Sequence, residues 1–189
     1  MRGEKMDRTI LDLFSLAAET AAAAHQGQTR KGNGMPYITH PFTVALLLQE
    51  AGCSPAVITA GLLHDTIEDT SLTYQDLQRN FGAAVADIVQ QCSEHDKEKS
   101  WEERKQYTIA HVQTISPEAC MVICADKLHN IRSTVKGKEK EGELVWKRFT
   151  RGREQQEWYY RSMVEALGKR IPGFSLYGML RREVEELFA

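Results

Sequence analysis

Apolar residues recur along almost the whole chain at helical spacing, and no segment shows the alternation of a half-buried strand. Ile10, Leu11, Phe14, Leu16, Ala17 and Ala18, followed by Ala21 to Ala24, predict a first helix over Thr9 to His25 that Gly27 ends. Gln28 to Pro36 is a turn-rich, basic loop. Tyr37-Ile-Thr-His40-Pro41 then leads into a second helix, with Thr39 or His40 near the cap and Pro41 in the first turn, and Phe42 and Val44 to Leu48 carry it to Gly52. Ser54-Pro55 opens a third helix, serine as cap and proline at the first helical position, which the pattern extends to Glu68 or Thr70. Thr73-Tyr-Gln-Asp76 has the form of a capping box for a short helix to Asn80, and Gly82 separates it from a helix through Val85, Ile88, Val89 and Cys92.

The second half is more charged. Residues 93 to 105 carry alternating signs, the pattern of a solvated helix face, and Thr108 to Ile115 continues helically. Ser116-Pro117 caps the next helix, in which Ala119 to Ala125 is apolar all round and therefore buried on every side. That stretch runs directly into Asp126-Lys-Leu-His129-Asn130, so a carboxylate there needs a partner. Val135 to Glu143 reads as a flexible charged loop and Leu144 to Leu167 as a long helix, with the Trp158-Tyr-Tyr160 cluster assigned to the core. Pro172-Gly173 breaks it before an acidic amphipathic helix from Leu176 to Phe188. The fold class predicted is all-α, a bundle of roughly eight to ten helices.

Length and composition narrow the picture further. The 189 residues suit one domain over 1–189, with the informative motifs between about 10 and 167 and a helical extension over 173–189. A net charge of −2 gives no global basic field, so nucleic acid is not the expected partner and an anionic substrate must be bound locally. Cys53, Cys92, Cys120 and Cys124 form no C-x-x-C pair and sit in mostly apolar neighbourhoods, as small core residues in a reducing compartment do. The N-terminus has charge without a following apolar region, and no run approaches the ~18 apolar residues of a membrane span. A cytoplasmic location is expected.

Candidate chemistry centres on Gly61-Leu-Leu-His64-Asp65-Thr-Ile-Glu68-Asp69-Thr70. On a helix, Glu68 lies three residues after Asp65 and four after His64, and Asp69 four after Asp65, so one face would be strongly acidic behind an apolar lead-in. Carboxylates beside a buried helix are costly unless paired or metal-bound, and a cation would relieve both that cost and the conflict with the helix dipole. His40 after a loop, His64-Asp65 on a central helix and Asp126 on a buried helix stand on three separate elements, and spacing alone does not show that they converge.

The order His40, His64-Asp65, Asp126 resembles the signature of the HD phosphohydrolase superfamily, helical enzymes that bind a divalent metal. More narrowly, Arg30-Lys31…Pro36-Tyr-Ile-Thr-His40-Pro41, Leu63-His-Asp-Thr-Ile-Glu-Asp-Thr70 and Ala125-Asp-Lys-Leu-His-Asn-Ile-Arg132 are similar to the hydrolase domain of Rel/SpoT-type alarmone enzymes. The resemblance implies removal of the 3′-pyrophosphate of guanosine tetra- or pentaphosphate, with Mn²⁺ as the metal and Fe²⁺ or another transition metal as the alternative. It makes His40, His64, Asp65 and Asp126 the ligands and Glu68 and Asp69 the catalytic acids. It also gives Arg30 a stacking role on the base, Lys31 a phosphate-side charge, Asn130 a hydrogen bond to the nucleotide, and Lys97 and Arg104 the terminal phosphates. His129 fills no ligand position and reads as structural. The loop from Arg30 to His40 is one residue longer than the commonest family form.

A two-imidazole, two-carboxylate shell suits a borderline transition metal better than Mg²⁺. The implied partner is a small-molecule nucleotide, with neither nucleic acid nor membrane, and a homo-oligomer stays open. Two other readings are an HD hydrolase of another nucleotide, such as an adenosine alarmone or a nucleoside monophosphate, and a non-catalytic nucleotide-sensing module. The Glu68-Asp69 pair argues against the sensor, which needs no proton shuttle.

Overall fold

The computed structural model describes residues 10–32, 34–94 and 98–189. Among them are ten α-helices and one 3-10 helix, with no strand beyond an isolated antiparallel bridge between Thr29 and Pro36. The α-helices are α1 (Ile10–Ala24), α2 (Thr39–Glu50), α3 (Pro55–Leu63), α4 (Thr66–Asp69), α5 (Tyr74–Phe81), α6 (Ala83–Cys92), α7 (Trp101–His111), α8 (Pro117–Glu141), α9 (Arg153–Arg170) and α10 (Ser175–Leu187). The all-α expectation therefore holds.

The expected start signals act as real caps in several places. Thr73 and Asp76 form the reciprocal capping box of α5, and the Ser116 side chain accepts the Ala119 N–H at the start of α8. Ser54 occupies the cap position of α3 ahead of Pro55, although its side chain makes no capping hydrogen bond.

Helix α8 is the axis of the bundle. It packs against α2, α3 and α6, and also against α9, α10 and the 3-10 helix. Its apolar start explains this: Ala119, Cys120 and Val122 to Ala125 are buried, and Leu128 and Ile131 extend the seam. Gly61 lets α2 and α3 approach closely, because a Cβ there would collide with the Leu48 side chain. The helices carrying His40 and His64 are thus held against each other. Helix α10 buries Leu176, Leu180, Val184 and Leu187, and Glu183 clamps Arg132 of α8 at 2.8–3.2 Å. Among the described residues, no helix is long and apolar enough to cross a membrane.

Three expectations fail. The third helix stops at Leu63 and a separate turn, α4, follows. The Thr66 hydroxyl donates to Leu63 O at 2.7 Å and His64 Nδ1 contacts Gly61 O at 2.8 Å, so side chains occupy carbonyls near the break. Residues 135–141 are helix rather than flexible loop, because lysine and glutamate are good helix formers. Gly137 seats that segment beneath Val145 and Arg148, and Gly142, at φ 59°, ends it. The long helix expected from Leu144 instead begins as a 3-10 helix, Gly142–Arg148; the chain turns extended at Phe149, and α9 starts only after Gly152. More modestly, α7 ends at His111 rather than continuing to Ile115.

Candidate metal and nucleotide site

Three elements converge on one point. His40, in the first turn of α2, is 1% exposed; His64 caps the end of α3, with Asp65 next to it; Asp126 lies on α8 just beyond the apolar stretch. His40 Nε2 stands 3.1 Å from Asp126 Oδ1 and 3.7 Å from Asp65 Oδ2. His64 Nε2 is 3.0 Å from Asp65 Oδ2 and 3.9 Å from Asp126 Oδ1. One ligating atom from each of His40, His64 and Asp65 lies within 4.8 Å of the others, so the trio could hold a metal ion, and Asp126 adds a fourth donor beside both imidazoles.

The chemistry of this set calls for a positive charge. A carbonyl can only accept, so the contact with Gly61 O places the His64 proton on Nδ1 and leaves a lone pair on Nε2. That nitrogen is buried without an aligned hydrogen bond, although Asp65 Oδ2 is only 3.0 Å away. Two lone pairs facing each other repel unless a proton or a metal cation stands between them. The same demand appears in the titration of His64: burial disfavours its charge, but Asp65 and Asp126 outweigh burial and push its pKa up to about 9. Asp65 and Asp126 are held below the usual carboxylate range against the cost of burial, Asp65 chiefly by His64 and Asp126 chiefly by Lys127. The residues fit a divalent cation.

A surrounding shell fixes these donors. The Tyr37 hydroxyl donates to Asp65 Oδ2 at 2.6 Å, which, after burial, raises the Tyr37 pKa far above its ordinary value. Asn130 Nδ2 donates to Asp126 Oδ1 at 2.6 Å and Lys127 Nζ to Oδ2 at 2.7 Å. His129 Nδ1 lies 2.6 Å from His40 Nδ1. Burial, then the charges of His40 and Arg30, lower the His129 pKa to about 4.

The donors open into a cleft of about 710 Å³, a size typical of small-molecule sites. Glu68, Asp69, Arg30, Lys31, Asn130 and Arg104 all line it. The Glu68 carboxylate accepts the Glu94 backbone N–H at 2.9 Å; burial and the neighbouring carboxylates of Glu94, Asp65 and Asp69 raise its pKa. The Asp69 carbonyl accepts from Gln28 at 3.0 Å, tying the acidic turn to the basic loop. Arg30 Nη2 donates to Asn130 Oδ1 at 3.0 Å. Asn130 is therefore a bridge in mid-helix. Lys97 lies outside the described residues.

The reading of residues 93–105 as a solvated face is corrected at Glu94, Arg104 and Lys105. Glu94 accepts from Arg104 at 3.2 Å, Lys105 at 2.6 Å and the Thr108 hydroxyl at 3.0 Å, all within the cleft wall. Sequence reasoning also missed Tyr37, Lys127 and Arg148 as lining residues. Lys127 had a signal, since a lysine next to Asp126 in a buried helix is a natural counter-charge. Arg148 had none, because its place depends on Gly32 and Gly137, whose lack of side chains leaves the space its guanidinium fills. Within the Trp158-Tyr-Tyr160 cluster, Tyr159 and Tyr160 are buried against the cleft, whereas Trp158 is exposed.

A family model described as HD domain matches residues 17–155. The GTP pyrophosphokinase of Streptomyces coelicolor is 39% identical over 132 residues, which cover 68% of this chain but 16% of that protein. The chain thus spans about a sixth of the length of that relative. A shorter relative, the guanosine-3′,5′-bis(diphosphate) 3′-pyrophosphohydrolase MESH1 of Danio rerio, is 44% identical over 126 residues, covering 65% of this chain and 67% of that protein. Among solved structures, one of a metazoan ortholog of SpoT that hydrolyses ppGpp superposes with a TM-score of 0.75 at 26% identity, covering 93% of this chain and 94% of the other.

Proposed function

Because the chain belongs to the HD-domain family, we propose that it is a metal-dependent phosphohydrolase that removes the 3′-pyrophosphate of guanosine tetra- and pentaphosphate, giving GDP or GTP and pyrophosphate. The observation that carries this reading is the convergence of His40, His64, Asp65 and Asp126 on a cleft that Glu68 and Asp69 also line. The similarity to MESH1 and to the SpoT ortholog supplies the substrate.

In this reading the four side chains hold Mn²⁺, or Fe²⁺ in the same shell. When bound, such a cation polarises a phosphoryl oxygen and makes water more acidic. Glu68 and Asp69 orient the attacking water and move its proton. The water oxygen bonds to phosphorus, the bond from phosphorus to the 3′-oxygen breaks, and that oxygen takes the proton as the nucleotide leaves. Glu68, whose pKa burial and the neighbouring carboxylates raise, can deliver it. Arg30 turns from Asn130 to lie against the base, which frees the Asn130 side chain for the nucleotide. Lys31 and Arg104 supply charge to the phosphates, with Lys97 assigned the same role.

Product analysis tests the assignment. Purified protein with Mn²⁺, offered guanosine and adenosine alarmones and nucleoside monophosphates, should release pyrophosphate from the guanosine alarmones and leave a 3′-hydroxyl. Release of orthophosphate, or turnover of monophosphates alone, would overturn it.

A further inference from the structure

His129 has no part in the proposed chemistry, yet it makes the closest polar contact to His40. The Nδ1–Nδ1 separation is 2.6 Å, the ring centroids are 4.9 Å apart and the planes differ by 16°. Nearly parallel rings with centroids that far apart and nitrogens that close must meet edge to edge, in one plane, the alignment of an N–H···N hydrogen bond. Such a bond has one donor and one acceptor, so the two rings cannot both carry a proton on Nδ1.

We infer that His129 is a positioning residue for the metal centre: its Nδ1 lone pair accepts the Nδ1–H of His40 and so fixes which His40 nitrogen offers a lone pair to the cation. The inference rests on the reading of His40 as a metal ligand. His40 Nε2 faces Asp126 and Asp65, so it must be the ligating atom and the ring proton must sit on Nδ1. A ligating imidazole ordinarily gives that proton to a carboxylate, a carbonyl or a water. Here a second imidazole takes the place of that acceptor, and it does so from α8, three residues after Asp126. A single turn of α8 thus provides one ligand and the orientation of another. His64 is fixed differently, by the Gly61 carbonyl of its own helix. The two imidazoles therefore depend on different elements, and only His40 depends on a side chain that can be replaced.

The test is calorimetric Mn²⁺ binding to chelator-stripped parent, His40→Ala, His129→Phe and His129→Asn proteins. Phenylalanine keeps a ring and removes the acceptor, whereas asparagine restores a side-chain acceptor. His129→Phe should lose about 10- to 100-fold in metal affinity, the usual cost of removing such a support, and His129→Asn should recover most of it. Parental affinity in His129→Phe overturns the inference, as does an equal loss in both variants, which would make ring packing the contribution. If the parent binds no transition metal, or His40→Ala binds as the parent does, the metal-site reading fails and the inference with it. Should His129→Phe not fold, the imidazole nitrogen resonances of the Zn²⁺-loaded parent decide: an unprotonated His129 Nδ1 bonded to His40 Nδ1–H supports the role, and a protonated one overturns it.

Discussion

Replacing Glu68 by glutamine keeps its shape and its place against the Glu94 N–H but removes the exchangeable proton. Glu68→Gln and Asp69→Asn should each lower turnover by roughly 10²-fold or more while metal binding survives. Asp126→Asn should lose metal together with rate, because its carboxylate meets both imidazoles. Parental turnover in Glu68→Gln and Asp69→Asn would remove the proton shuttle from the scheme. Arg30 permits a different separation. A planar guanidinium can lie against a base, but an ammonium on a flexible stem cannot, so Arg30→Lys should raise KM by the equivalent of roughly 1–2 kcal/mol and leave kcat nearly unchanged. Measuring KM for guanosine and adenosine substrates checks this, and equal KM values in parent, Arg30→Lys and Arg30→Ala would place the arginine outside the pocket.

At the scale of the element, the Glu94 carboxylate gathers three side chains of α7, Arg104, Lys105 and Thr108, at the cleft wall. Burial would raise the pKa of Glu94, but Lys105, Lys127 and the Thr108 hydroxyl together hold it below the ordinary glutamate value. A depressed carboxyl adds stability that is fully present above its unfolded pKa and is lost as pH falls through the folded one. The stability gap between parent and Glu94→Gln should therefore be largest above about pH 5 and shrink below about pH 4, as urea unfolding over that range would show. A gap independent of pH would mean that packing, not charge, secures α7. This element also shows why parts of the fold were hard to read. Alternating charges normally mark a wet face, and nothing in the spacing of Glu94, Arg104 and Lys105 told that they close inward on each other. Likewise the lysines and glutamates of residues 135–141 suggested a loop, when their helix propensity and the buried Gly137 make them the end of α8. Serine-proline starts and apolar periodicity were legible because they act within a few residues.

Across the molecule, the donors come from α2, the end of α3 and the middle of α8, and only the folded chain brings them together. Their candidacy as ligands could be read from three ordered motifs, but not that the four side chains meet, since this depends on the close approach of α2 and α3 at Gly61. A ligand that binds only the folded state raises its stability by mass action. Mn²⁺ at about one hundred times its Kd should add about 2.7 kcal/mol, visible as a higher melting temperature that chelator removes. An unchanged melting temperature in the presence of Mn²⁺ would argue against an assembled metal site.

In the proposed function, the bonds from Arg30 to Asn130 and from Asn130 to Asp126 link the nucleotide to the metal. If a base draws Arg30 off Asn130, the amide loses one partner while it still holds the Asp126 carboxylate, a proposed metal ligand. Occupancy at one place then alters the free energy of occupancy at the other, and thermodynamic reciprocity makes the effect equal in both directions. Titrating nucleotide with and without Mn²⁺, and Mn²⁺ with and without nucleotide, should give the same factor, and Asn130→Ala should bring that factor closer to unity.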